Sequence, residues 1–146
     1  MVNTPHDIAC AKRAARELGG IFIPLNEPSD ATALLSGARV AITMRLHALI
    51  MATMAGVPAV GVPSDALDRK IPAFAHLAGQ EFVAREELSV VTLVERTEHL
   101  LKVRERLSPL LLDAAADLQK KAKKDLENIV SMLYNNNQQH YRRLTT

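Results

Sequence analysis

Apolar positions along this chain follow two different rhythms. Up to about residue 84 they gather in short runs separated by turn residues, and beyond residue 88 they recur every three or four positions. The first rhythm predicts strands alternating with helices. Thr4-Pro5-His6-Asp7 has the form of a helix start, with Thr4 as cap, Pro5 at the first helical position and an acid in the first turn. That helix is predicted to run to Leu18 and stop at Gly19-Gly20. "IFIPL" at 21–25 reads as a short strand of β-forming residues. "PSDATALLSGA" at 28–38 reads as a brief helix capped by Ser29 or Asp30 and ended by Gly37. "RVAIT" at 39–43 is a strand and Met44 to Ala55 a helix stopped by Gly56. "AVGVP" at 59–63 is the next strand, 68–79 is partly helical despite Pro72, and "EFVA" at 81–84 closes the series.

Strands that alternate with helices require a parallel sheet, so the fold class is α/β, a Rossmann-like parallel sheet flanked by helices with a helical C-terminal extension. In that extension Ser89 caps a helix to about Val103, and Ser108-Pro109 opens a second. In the second, Leu111, Ala114, Leu118, Ala122, Leu126, Ile129 and Leu133 form one apolar stripe. Residues 1–134 are read as a single domain and 135–146, without an apolar period, as a loose tail. A doubly wound domain usually begins on a strand, whereas this chain begins on a helix. The expectation is that Met1 lies inside a larger protein and that the sheet has an edge something else covers.

Composition narrows the function classes. At 146 residues, 48% hydrophobic and 23% charged, the chain can bury a real core and is neither disordered nor membranous in composition. Pro58 and Pro63 interrupt the best apolar run before it could span a bilayer, and the first residues lack the order of a secretory signal. Cys10 stands alone, which excludes an internal disulfide or a cysteine-rich metal site and fits a cytoplasmic setting. Cations at 102–106 and 119–124 alternate with acids, net charge is only +2 and aromatics are 3%, so nucleic acid has no stacking platform here.

One short stretch breaks the pattern. "AITMRLHALIMATMAGVPAVGVP", residues 41–63, is apolar almost throughout yet carries Arg45 and His47 near its start. They fall where the 39–43 strand meets the following helix, and open α/β sheets collect ligands there, beside the free N–H groups of the helix N-terminus. A cation alone at that position is unfavourable by roughly 0.3–1 kcal/mol, and an anion reverses the sign. Arginine binds carboxylate or phosphate bidentately and histidine transfers protons near neutrality. Helix positions two apart point in opposite directions, so the pair can face one ligand only if Arg45 belongs to the turn and not to the helix. The helix itself reads as apolar on every side and therefore buried all round. On spacing alone a second reading stands: Arg45 paired to a buried carboxylate and His47 a hydrogen-bonded core residue.

The segment "ARVAITMRLHALIMATMAGVPAVGV" resembles the polysaccharide pyruvyl transferase family, in which an Arg-Leu-His turn after a strand is followed by a small-residue helix and a Gly-Val-Pro. The likeness covers about residues 37–80 and more loosely the rest of the α/β part. It implies a two-domain architecture of the GT-B type of which this chain is the C-terminal half. It also implies transfer of pyruvyl from phosphoenolpyruvate to a sugar acceptor on a cell-surface or cell-wall polysaccharide or its precursor, with no cofactor and no metal. Carried over, Arg45 and Leu46 belong to the donor-binding turn, with Arg45 on the phosphate or carboxylate of phosphoenolpyruvate, and His47 is the acid–base group. Family members often follow the next strand with Tyr-Asp-x-Lys. Here "PSDALDRKI" is longer and lacks the tyrosine, so either Asp65 or Asp68 stands for the aspartate, with Lys70 as the lysine. Helix capping is the competing reading of both acids, and a solvated surface lysine that of Lys70. His76 and His99 read as structural or surface residues. The expected partners are phosphoenolpyruvate, the sugar acceptor, and a missing N-terminal domain or a second copy. Alternatives are a non-catalytic oligomerising module and a nucleotide-sugar glycosyltransferase half.

Overall fold

The computed structural model describes residues 5–25 and 27–144. Three short strands, β1 (Ala41–Thr43), β2 (Ala59–Gly61) and β3 (Glu81–Phe82), form a parallel sheet in the order β1-β2-β3. Ala41 pairs with Ala59, Thr43 with Gly61 and Val60 with Glu81. The helices are α1 (Pro5–Glu17), α2 (Pro28–Ser36), α3 (Leu46–Met54), α4 (Lys70–Ala78) and α5 (Val90–Leu144), with a 3-10 turn at Arg85–Glu87. The chain is thus α/β, a small parallel sheet flanked by helices with a long helix at its end. The Thr4 cap lies outside the described residues.

β2 is the middle strand and is buried at every position, as a parallel strand covered on both faces should be. On one face Leu49 and Ala52 of α3 meet Val57, Ala59, Ile71 and Ala75. On the other, Val60 and Val83 meet Leu100 of α5. Gly61 is where α4 comes closest: a Cβ there would lie 2.6 Å from Ile71 Cγ2 and 3.3 Å from Leu49 Cδ2. Only glycine allows that approach.

A buried polar residue ties these layers together. The Gln80 amide accepts the Ala59 N–H through Oε1 (2.8 Å) and donates through Nε2 to Thr53 Oγ1 (3.0 Å) and the Val57 carbonyl (3.1 Å). Thr53 in turn donates to the Leu49 carbonyl at 2.9 Å. The start of β2, the end of α3 and the turn before β3 are thereby joined through one side chain whose polar atoms are all satisfied.

Several expectations are corrected. The 21–25 segment is not a strand: Ile21 and Ile23 are exposed, and among the described residues no strand pairs with the outer edge of β1. A strand exists only with a neighbour to bond, so β-propensity alone does not make one. Helix α2 is capped by Glu27, not by Ser29 or Asp30. Pro28 takes the first helical position, and Asp30 reaches back to accept the Glu27 N–H at 3.1 Å. Helix α3 is not buried all round; Leu49, Ala52 and Thr53 are buried, whereas His47 and Met54 are exposed. The described elements cover its sheet side and leave the opposite side open.

The two C-terminal helices are one. α5 passes through Pro109 and continues to Leu144, into the stretch read as a tail. Proline in a helix interior costs about 3 kcal/mol, but packing holds both sides of this one. Leu107 rests on the Val60, Val83 and Leu100 cluster, and Leu111 is buried one turn on. Gly56, in the left-handed conformation that ends α3 (φ 66°), lies against this part of α5, so close that a Cβ would sit 3.0 Å from Leu112 Cγ and 3.2 Å from the Ser108 carbonyl. Ser89 caps the start of α5 as expected, accepting the Thr92 N–H at 3.0 Å.

Candidate functional site

Because all three strands run parallel, their carboxyl ends open on one edge of the sheet, and the segments after them share that edge. The segment after β1 is Met44-Arg45 and the start of α3. Arg45 has extended backbone (φ −111°, ψ 122°) and is the cap residue of α3, outside the helix. Thr43 fixes this bend: its Oγ1 accepts the Arg45 N–H at 3.0 Å and lies 3.3 Å from the Arg45 carbonyl oxygen, to which it can donate. The same carbonyl accepts the Leu49 N–H, the first bond of the helix, at 3.1 Å. The geometric condition for Arg45 and His47 to serve one ligand is therefore met, since Arg45 belongs to the turn.

Both side chains are exposed, and Leu46 between them is half-buried against the α3 core. The neighbours Ile42 and Met44 are more than half exposed. Among the described residues the His47 side chain makes no hydrogen bond or ion pair. The first N–H groups of α3 have no intrahelical acceptor, and no acid occupies its first turn. What this turn offers a ligand is a guanidinium, an imidazole and the positive end of a helix.

The segment after β2 is built by two carboxylates acting on its own backbone. Asp68 Oδ2 accepts the Ser64 N–H and hydroxyl, each at 3.2 Å, and Oδ1 accepts the Lys70 N–H at 3.0 Å. Asp65 Oδ1 accepts the Leu67 N–H at 2.8 Å. The Ser64 N–H bond is the main force holding the Asp68 carboxyl below its ordinary range; desolvation opposes it, and the Lys70 N–H, the Ser64 hydroxyl and the Ile71 N–H assist. Lys70 is exposed at the first position of α4. The structure thus brings Asp65, Asp68 and the Lys70 backbone into one turn, while Arg45, Leu46 and His47 occupy the neighbouring strand's end on the same edge.

The segment after β3 supplies a residue that the sequence reading passed over. Arg85 donates from Nη1 to the Ser64 carbonyl at 2.9 Å, joining the third loop to the second. Between these loops lies a hollow of about 100 Å³ lined by Asp65, Asp68, Phe82, Arg85 and Glu86 among others. The available signal was its place just past the predicted strand at 81–84, hence on the ligand edge. His76 stands edge-on to Phe82 with ring centroids 5.2 Å apart, and His99 lies 3.7 Å from Glu81, which also meets Arg96 at 3.4 Å. Both histidines brace β3.

The site is thus a parallel α/β sheet with a cationic strand-to-helix turn at its carboxyl edge, a position at which open α/β sheets can receive an anion. Residues 4–66 match the family model of the polysaccharide pyruvyl transferases, which supports the family that the Arg-Leu-His segment suggested. The match runs from α1 through β2 into the Asp65 turn and includes Arg45, Leu46 and His47. No curated protein matches the chain significantly. A polysaccharide pyruvyl transferase role, in general terms, is what this family match supports, and such a role implies a sugar acceptor. No helix among the described residues is long and apolar enough to cross a membrane.

Proposed function

We propose that the chain is the donor-binding half of a polysaccharide pyruvyl transferase, holding phosphoenolpyruvate at the Arg45 turn while a sugar hydroxyl is brought to it by a further domain or subunit. The supporting observation is the Thr43-braced bend, which keeps Arg45 extended and exposed at the N-terminus of α3, next to His47. Phosphoenolpyruvate carries a carboxylate and a phosphate, and a fixed guanidinium with a helix N-terminus suits either. His47 is proposed to donate a proton to the enol methylene carbon. The electron-poor carbon left behind takes a sugar hydroxyl, forming a C–O bond and returning that hydroxyl's proton to His47. Attack by a second hydroxyl closes the cyclic ketal as the C–O bond to phosphate breaks, phosphate leaving with the bonding electrons and the second hydroxyl's proton. Lys70 and either Asp65 or Asp68 line the donor side, with both acids also shaping the turn. A cytoplasmic location fits, because phosphoenolpyruvate is a donor made inside the cell.

Ligand-detected NMR against phosphoenolpyruvate and a nucleoside diphosphate tests this reading. Saturation transfer to phosphoenolpyruvate that disappears in Arg45→Ala supports it. A response to the nucleotide alone shifts the assignment to a nucleotide-sugar glycosyltransferase half. Binding of neither by a chain that is a stable dimer favours a non-catalytic oligomerising module.

A further inference from the structure

We infer that two copies of this chain pair through α5 as an antiparallel dimer with its two-fold axis beside Ala122, each copy's free helix end filling a groove on the other. This holds whatever the Arg45 turn binds. The first observation is the groove: an apolar hollow of about 410 Å³ where α5 leaves the body, walled by Ile50 and Met54 of α3, Phe74 of α4, and Ala115, Leu118 and Ala122 of α5. The second is the continuation of the same helix. Beyond the groove, Leu126, Ile129, Val130 and Leu133 are all more than half exposed, although most helical stability in proteins comes from packing such an apolar face against a partner.

The third observation selects the occupant. Ala115, Leu118, Ala122, Leu126 and Ile129 are spaced three, four, four and three residues apart, a pattern that reads the same in both directions from Ala122. An antiparallel two-fold axis at Ala122 therefore sets Leu126 of one copy level with Leu118 of the other, and Ile129 level with Ala115. The free stripe of each copy meets the groove of its mate. The small residue at the axis lets the helices come close, and Ile129 against Ala115 matches large to small.

Charge agrees with that orientation. Lys121 and Asp125 lie on the same flank of the stripe, and in an antiparallel pair like flanks meet, so each Lys121 faces the second copy's Asp125. A parallel pair would set the Lys121 flank against the Lys123 flank instead. It would also force the two bodies together at one end and leave both grooves empty. The contact is isologous, so it closes at two copies.

Light scattering on the full chain should give twice the 16.0 kDa chain mass. Ala122→Arg, at an exposed position in mid-helix, should leave the helical circular dichroism in place and raise the dimer dissociation constant by roughly two orders of magnitude. Lys121→Asp should weaken the dimer and Lys121→Asp with Asp125→Lys should restore it. Orientation is read by disulfide trapping in a Cys10→Ser background, mixing Leu118→Cys chains with Leu126→Cys chains. Antiparallel pairing crosslinks the two kinds to each other and leaves Leu118→Cys alone uncrosslinked, its sulfurs being about 12 Å apart along the axis. A monomer at about 50 µM, a level at which a micromolar dimer would be formed, overturns the inference. So do self-crosslinking of Leu118→Cys alone, a larger assembly, or failure of the double charge reversal to rescue.

Discussion

At Gly61 the body of the protein allows no side chain at all. Gly61→Ala puts a methyl group 2.6 Å from Ile71 Cγ2 and should destabilise the fold by about 1–3 kcal/mol, read as a lowered denaturant midpoint. Gln80 carries the opposite burden, a polar group placed among apolar layers. Gln80→Leu removes the acceptor for the Ala59 N–H and should cost about 1–3 kcal/mol, again by denaturation. Asp68 gives a pH signature. Its folded carboxyl lies below the ordinary value of 3.8, so its contribution is present above that value and is lost as pH falls through the folded one. Asp68→Asn should thus melt below the parent chain at neutral pH, the two curves converging on acidification below 3.8. A gap that persists at low pH would mean the charge is not what holds the Ser64 turn. Of these three residues the sequence showed only Asp68, because a short-range capping pattern is local. Gly61 and Gln80 are fixed by neighbours 10 or more residues away.

At the level of elements, most local signals survived where the bonding partner was also local, the cap of α2, which falls on Glu27, being the exception. Helix α1, the Gly37 and Gly56 stops and the Ser89 cap all follow from residues within one turn. Where a partner had to come from elsewhere, propensity misled: "IFIPL" has the composition of a strand but no strand beside it among the described residues, and Pro109 has the chemistry of a break yet sits between two anchored leucines. That account of α5 is testable. Pro109→Ala restores a backbone donor at an exposed position and should stabilise the chain by about 1–3 kcal/mol, less than the full helix penalty because proline also restrains the unfolded chain. No gain in stability would mean that the helix is bent or broken there in solution.

For the molecule as a whole, the parallel sheet explains why residues 20 to 40 positions apart in sequence share one edge. The Arg-Leu-His turn was legible because an arginine and a histidine in an apolar run violate the pattern around them. Arg85 was not, because an arginine in a charged loop violates nothing. Ile42 and Met44 beside the turn are exposed, and under the proposed function, in which a further domain or subunit completes the site, weak rather than tight binding is expected of the chain alone. The most direct measurement is a titration of phosphoenolpyruvate into the chain, followed by NMR chemical shifts of the α3 start. Saturable shifts at Leu46 and His47, lost in Arg45→Ala and unchanged in the dimer-breaking Ala122→Arg, are expected. Shifts that persist without the Arg45 guanidinium, or that centre on another part of the molecule, would contradict the assignment of this turn as the donor site.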